Sequence, residues 1–418
     1  MKILIVGGGG REHAVAWKIA QNPSVTKIWC APGNGGIAEI AECVDIKATD
    51  IDGIVAFAKA EKPDLVMVAP DDPLVMGLVD RLENAGIRAF GPRANAAIVE
   101  GSKSFAKKLM EDFDIPTAKY AVFADADKAC DYVKEHGAPI VIKADGLALG
   151  KGVTVAMTEE EAISAIHSAI CDKAFGDAGA SVVIEEFLEG PEVSVLCFTD
   201  GKTICPMPSA QDHKRAYDGD EGPNTGGMGA FSPSRVYTES LARECMNKIF
   251  RPTIDGLGKM GRAFKGVIYF GLMITKDGPK VIEYNARFGD PETQAVLPRL
   301  KTDIVEIMNA IIDERLHEIT IEWDARAACC VVLASGGYPR KYETGHAIAG
   351  IDDARSGDVL VFHAGTKRDG CAIKTAGGRV LGVTGLADNL DSAIVAAYDA
   401  AKKIHFKDMH KRLDIGVK

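Results

Sequence analysis

Residues 139–153 read Pro-Ile-Val-Ile-Lys-Ala-Asp-Gly-Leu-Ala-Leu-Gly-Lys-Gly-Val. An apolar, β-branched run ends in Lys143, a glycine-rich loop follows, and a second β-branched run opens at Val153. That is a strand–loop–strand flap, able to lay backbone amides over phosphate oxygens while Lys143 supplies a fixed positive charge from the strand. The loop is not a Walker A motif, since Asp145 stands at its first glycine position and Gly152 at its Ser/Thr position. A plain solvent hairpin accounts less well for Gly146, Gly150 and Gly152 placed beside Lys143 and Lys151.

Outward from this flap the texture stays that of short strands. Val182–Glu186, Val193–Phe198, Gly266–Ile274 and Pro279–Tyr284 are β-rich, the last two joined by a Lys-Asp-Gly turn, with a helix over Glu159–Ile170. The expectation is an α+β unit with antiparallel sheets. The first hundred residues differ. Strands Lys2–Val6, Lys27–Cys30, Leu65–Ala69 and Ile87–Phe90 alternate with helices near Arg11–Gln21 and Ile51–Glu61, which predicts a parallel sheet covered on both faces. Ligands of such sheets sit beyond the carboxyl ends of the strands. A third unit opens at Ala327–Ala334, with strands over Asp358–His363, Cys371–Thr375 and Arg379–Thr384 and a helix near Asp391–Ile404.

Composition narrows the function. The 418 residues are 47% hydrophobic and 26% charged, which argues against disorder and fibrous repeats. A net charge of −10 disfavours a nucleic-acid-coating protein. The ten cysteines include no C-x-x-C pair, so reduced core thiols are expected rather than a zinc or redox motif. No apolar run is long enough for a membrane helix, and the amino terminus lacks a signal-peptide pattern. The expectation is a soluble, cytoplasmic protein, and a monomer, with no nucleic-acid or membrane partner.

Gly7-Gly8-Gly9-Gly10 follows the first strand and invites a dinucleotide reading. That fingerprint needs a third glycine where Glu12 or His13 stands, and an acid after the second strand, where Ala31-Pro32-Gly33 stands. A single anion at the helix start fits better, with Arg11 beside it. In the middle unit, Glu185 and Glu186 point to opposite faces of one strand, and Glu192 follows the Gly190-Pro191 turn, placed for a ribose hydroxyl. Glu283 and Asn285 share a strand face, a pair of oxygen donors suited to a hard cation such as Mg²⁺ that bridges phosphates. Arg287 follows on the same side, able to neutralise a carboxylate or phosphoryl group. Residues 211–230 form a long polar, glycine-laden segment, read as a structureless substrate loop.

Together these segments resemble the ATP-grasp superfamily and, within it, the phosphoribosylamine–glycine ligase family. The resemblance runs from GGGGREHA at 7–14, through KADGLALGKGV at 143–153, QDHKRAYDGDEGPNTGGMG at 211–229 and EYNARFGDPET at 283–293, to Arg379–Val383 and Asp414-Ile415-Gly416. It implies an α/β and α+β multidomain protein. An N-terminal parallel-sheet (pre-ATP-grasp) domain would span 1–102, and an ATP-grasp domain 103–325 with its flap subdomain at about 120–190. A small β-rich C-terminal domain would span 326–418. It also implies the ligation of glycine to 5-phosphoribosylamine with ATP as co-substrate and Mg²⁺ or Mn²⁺ as the ion. The runner-up readings are another ATP-grasp carboxylate–amine ligase and a nucleotide-binding protein without turnover.

In family terms Glu283 and Asn285 would bind the metal. Lys103, Lys143, Gly146, Gly150, Lys151 and Gly152 would hold the ATP phosphates, and Glu185, Glu186, Leu188 and Glu192 its adenosine. Arg287, Asp212 and Lys214 would orient glycine and the acyl phosphate. Gly8, Gly9, Gly10, Arg11, Asp71, Asn224, Thr225, Gly226, Gly289, Asp290 and Arg379 would take the remaining substrate contacts. Asp71 stands where the family usually has the longer glutamate.

Overall fold

The computed structural model describes residues 1–148 and 152–417. The first hundred residues build a five-stranded parallel sheet in the order Glu42–Cys43, Lys27–Pro32, Lys2–Gly7, Leu65–Val68, Ala89–Phe90. After the exposed Lys2 its central strand is apolar because both faces are buried. Leu4 and Val6 pack into one core and Ile3 and Ile5 into another. The helix Gly10–Ile19 starts directly at the carboxyl end of that strand.

The flap is a four-stranded antiparallel sheet, ordered Tyr120–Phe123, Val182–Glu186, Ile140–Ala144, Val153–Ala156. The helices Ala126–His136 and Glu159–Ile166 back it, with a small core of its own around Val133, Ile142, Ile166 and Ile184. The second helix is expected to reach Ile170; its last turn, His167–Cys171, is π-helical.

A second antiparallel sheet, ordered Ile204–Pro206, Glu192–Thr199, Gly266–Thr275, Gly278–Asn285, faces the flap across a cleft. Its last strand bulges at Ile282, between the pairs Leu272–Val281 and Gly271–Glu283. The third sheet runs Gln211–Asp212, Gly229–Ser232, Ala327–Ala334, Arg379–Ala387, Val359–His363.

The segment 211–230 is therefore not structureless. Its two ends are strands of the C-terminal sheet, and between them Arg215–Tyr217 pairs with Glu221–Asn224 as a hairpin. It has almost no β-branched residues, so local propensity gives no sign of this; the pairing of Gly229–Ser232 with Ala327–Ala334, a hundred residues on, imposes it. Among the described residues no helix is long and apolar enough to cross a membrane.

Candidate active site

The three units meet around one cavity of about 1050 Å³, lined from all of them. At its flap end stands a carboxylate shared by two ammonium groups. Glu185, pointing inward from its strand, bonds Lys143 Nζ at 3.0 Å through one oxygen and Lys107 Nζ at 3.0 Å through the other. All three side chains are buried. Burial pulls Lys107 down to about 8 against the pull of Glu185. Lys143 Nζ also donates to the carbonyl of Ile282 at 2.8 Å, so the bulge in the opposite sheet turns a backbone acceptor toward the flap. Lys103 Nζ donates to the Gly146 carbonyl at 2.9 Å, and burial lowers its pKa.

The sequence expectation for the paired glutamates resolves residue by residue. Glu185 is the inward one. Glu186, on the other face, accepts from the Lys119 amide at 3.0 Å and pairs with Lys280 at 3.2 Å, half-buried at the cavity margin. Leu188, Glu192 and Gly152 line the cavity. Gly146 contributes its carbonyl to Lys103 and does not line the cavity wall. Gly150 and Lys151 lie outside the described residues.

At the centre, Glu283 and Asn285 face the cavity from the strand Gly278–Asn285. Lys214 Nζ sits 3.4 Å from Glu283 and 3.1 Å from Glu192. Lys214 holds the Glu283 carboxyl down at about 2, with Lys143 and Lys103 adding to it against the cost of burial. Asp212 lies beside them, and burial pushes its pKa up, with Glu292, Glu192 and Glu283 adding and Lys214 opposing. Among the described residues no group of three or more His, Cys, Asp or Glu side chains could hold a metal by itself. A hard cation that keeps waters and shares its shell with phosphate oxygens needs only one or two protein oxygens, and Glu283 with Asn285 fits that demand.

The far end is built from guanidinium–carboxylate pairs. Arg287 bonds Glu100 at 2.8 Å and the Asn285 amide oxygen at 3.2 Å, while its buried Nε has no partner in the protein. Burial pushes Glu100 up to about 7 even with Arg287 beside it. Arg379 bonds Asp290 at 3.0 Å and the Gly226 carbonyl at 2.6 Å. Burial alone would raise Asp290, but Arg379 and Arg11 hold it below the usual carboxylate range. Arg11 bonds Glu12 at 2.6 Å and the Phe288 carbonyl at 3.1 Å. Asp71 likewise stays low, the cost of burial outweighed by Arg287 and Arg11. Asn224, Thr225 and Gly226 also line this end, Thr225 tied to the Lys214 carbonyl at 2.8 Å.

Gly8, Gly9, Gly10 and Gly289 do not line the wall. The Gly9 amide, expected free for an anion, bonds the Glu12 carboxylate at 2.5 Å. Glu12 also packs so close to Gly7 that a Cβ there would lie 2.5 Å from its side chain, and Gly7 has φ +124°. The residue that breaks the dinucleotide fingerprint thus fills the turn itself. Gly289 makes room for the buried Glu292, which a Cβ would meet at 2.7 Å. Glu292 accepts from Ser194, which in turn bonds Tyr269.

Sequence reasoning misses Lys107, Glu100, Glu292 and Tyr269, although all line the cavity. Lys107 carries a signal: it lies one helical turn from Lys103 in Lys103–Asp112, on the same face. Glu100 is a lone acid in the otherwise uncharged helix Ala94–Gly101.

A flap sheet closing over an antiparallel sheet, with lysines, a shared glutamate and a Glu/Asn pair between them, is the arrangement of the ATP-grasp class, whose enzymes use ATP with divalent metal ions. Residues 101–293 match the model of the phosphoribosylglycinamide synthetase ATP-grasp (A) domain, residues 1–100 that of its N domain and residues 328–418 that of its C domain. The chain belongs to the phosphoribosylglycinamide synthetase family. It is 51% identical over 418 residues to a phosphoribosylamine–glycine ligase of Halalkalibacterium halodurans, covering 100% of this chain and 97% of that one. A phosphoribosylamine–glycine ligase of Escherichia coli O157:H7 is 50% identical over 420 residues, covering 100% and 98%. The crystal structure of a phosphoribosylamine–glycine ligase from Thermotoga maritima superposes with a TM-score of 0.86 at 32% identity, covering 100% of both chains. A biotin carboxylase domain from Hydrogenobacter thermophilus shares the fold at 15% identity and a TM-score of 0.76, covering 98% of this chain and 91% of that one.

Proposed function

We propose that this chain is an ADP-forming ligase that joins glycine to 5-phosphoribosylamine, giving glycinamide ribonucleotide and phosphate in the second step of de novo purine biosynthesis. Full-length relatives at about half identity carry that name. The observation that carries the reading in this chain is that one cavity holds an ammonium cradle at the flap end and paired guanidiniums at the other, with Glu283 and Asn285 between them.

Lys103 and Lys143 hold the ATP phosphates, with Gly152 at the cavity wall and Gly146 fixing Lys103 through its carbonyl; Gly150 and Lys151 are read as phosphate contacts from the sequence alone. The main chain at Glu185–Leu188, with Glu186 beside it, takes the adenine, and Glu192 takes the ribose. Glu283 and Asn285 would hold Mg²⁺ or Mn²⁺, which would supply neutralisation of phosphate charge. A glycine carboxylate oxygen attacks the γ-phosphorus and ADP leaves, giving glycyl phosphate. The amine of phosphoribosylamine then attacks the acyl carbon, inorganic phosphate departs and the amine loses a proton. Arg287, Asp212 and Lys214 orient glycine and the acyl phosphate. Arg11 and Arg379 bind the sugar phosphate, with Asp71, Asn224, Thr225, Gly226 and Asp290 around it, Gly289 leaving room for Glu292 behind the wall, and Gly8, Gly9 and Gly10 shaping the turn beneath.

These roles are positioning and charge neutralisation, which is most of what phosphoryl transfer asks of a protein. Flap closure keeps water from the acyl phosphate. The protein acts as a cytoplasmic monomer. The test is phosphate release from ATP with each co-substrate withheld in turn. Turnover that needs both glycine and phosphoribosylamine is the expected result; full turnover lacking either contradicts the reading.

A further inference from the structure

The hairpin that carries Lys214 into the cavity has little to hold it in its own pairing. Arg215–Asn224 and Tyr217–Glu221 face each other with an irregularity between them, Thr225 bonds the Lys214 carbonyl at 2.8 Å and Arg215 the Gly222 carbonyl at 2.7 Å, and a two-stranded hairpin of this size is marginal in water. Beyond those bonds, its body is anchored to the last residues of the chain. Arg412, fully buried, grips Asp414 through two bonds of 2.7 Å and reaches across to Asp220 at 2.9 Å and the Arg215 carbonyl at 3.1 Å. Asp414 accepts from the Gly219 amide at 2.9 Å, the Leu413 amide donates to Asp218 at 2.7 Å, and a His410 ring nitrogen lies 2.7 Å from the Ala216 carbonyl.

The tail is itself fixed. Tyr398, on the helix Leu390–Ala401, donates to the Arg412 carbonyl and accepts from the Ile415 amide, both at 3.0 Å. His410 exchanges two backbone bonds of 2.8 Å with Ala334. A continuous chain of bonded groups therefore runs from the C-terminal core through Arg412 to the base of the hairpin, where Lys214 meets Glu192 and Glu283.

We propose that Arg412 is a positioning residue: with Asp414 it clamps the hairpin 215–224, and so sets where Lys214 stands over Glu283. The catalytic half of this statement rests on the role given to Lys214 above; the mechanical half does not. Arg412 touches neither the flap nor Lys103, Lys143 or Glu185, so its loss acts first on the reaction, and reaches the nucleotide only through Glu192, which Lys214 holds at 3.1 Å.

The experiment combines amide hydrogen exchange with steady-state kinetics on Arg412→Met, and on Asp220→Asn, which keeps the buried Arg412–Asp414 pair and folds even where Arg412→Met does not. Exchange should accelerate over residues 213–226 and stay unchanged in Ala327–Ala334 and Leu390–Ala401. In Arg412→Met kcat should fall about 100-fold, the cost of displacing a reacting group by about 1 Å. The KM for ATP should change by less than about tenfold, since the lysine cradle for the phosphates is untouched and only Glu192, released from Lys214, is disturbed. Asp220→Asn should move the same two readouts by less. Unchanged exchange over 213–226 in both variants overturns the clamp, as does acceleration that spreads through the C-terminal core. A loosened hairpin with normal kcat overturns its link to the chemistry. Lys214→Met separates the two claims: full activity there removes Lys214 from the ligation reading, while the exchange result still decides the clamp.

Discussion

The two ends of the cavity are both charged and both buried, yet they are built differently. At the flap end Lys107 and Lys143 share Glu185, with Lys103 beside them donating to a carbonyl. At the far end each guanidinium has its own acid: Arg11 with Glu12, Arg287 with Glu100, Arg379 with Asp290. Ammonium groups are compact point charges on flexible stems, whereas guanidiniums are rigid forks that fix direction. The flap end thus carries more ammonium than carboxylate, the balance the proposed polyphosphate site needs. The far end is a balanced lattice that recognises shape.

The difference can be broken most severely at the seam. Glu283→Gln removes a proposed ion ligand and leaves Lys214 facing Glu192 as its one carboxylate partner among the pairs described. Phosphate release at physiological Mg²⁺ should drop about 100-fold, on the order of 3 kcal/mol of transition-state stabilisation. Near-normal turnover would remove the metal assignment. Glu185→Ala comes next. It strands two buried ammonium groups, and breaking a buried pair costs about 3–5 kcal/mol, to be read by urea unfolding of the flap. The KM for ATP should rise with it. An unchanged midpoint would show that the lysines are already solvated.

Arg379→Ala sharpens the contrast from the other side. It should raise the apparent KM for phosphoribosylamine about tenfold, the worth of one charge-assisted bond, and leave that for ATP alone. Equal effects on both would erase the division between the two ends.

A smaller effect concerns how the N- and C-terminal units are held together behind the far end. His13 Nδ1 accepts from the His363 amide at 2.8 Å, and burial lowers both imidazoles to about 3. Below about pH 6.5 the unfolded chain takes up protons that the folded one refuses. Stability is therefore full above that pH and falls as pH drops toward 3, by about 1.4 kcal/mol per unit for each histidine. Urea midpoints measured from pH 7 to 4 should fall, and His13→Gln should flatten the slope. An identical slope would place the acid sensitivity elsewhere.

The same contrast explains how much of the molecule is legible in its sequence. The strands are legible almost to the residue where β-branched runs carry them, as at Val153–Ala156 and Val182–Glu186. Glu283 and Asn285 are legible because a two-residue spacing on a strand fixes a shared face. The far-end lattice is not, because its pairs join residues remote in sequence: Glu100 to Arg287, Asp290 to Arg379. No local pattern encodes such a partnership. The hairpin 215–224 is hidden for the same reason, its strands being held by a tail two hundred residues on. Gly8–Gly10 resembles an anion cradle because glycine turns usually leave amides free; here Glu12, three residues on, takes the Gly9 amide.

In the proposed scheme Glu283 and Asn285 hold the ion that tethers the triphosphate between flap and sheet. A crystal structure with a non-hydrolysable ATP analogue and Mg²⁺ tests it directly. An ion should lie about 2.1 Å from an oxygen of each side chain, with Lys143 and Lys103 turned to the phosphates. An ion bound to other side chains, with Glu283 still against Lys214, would contradict it.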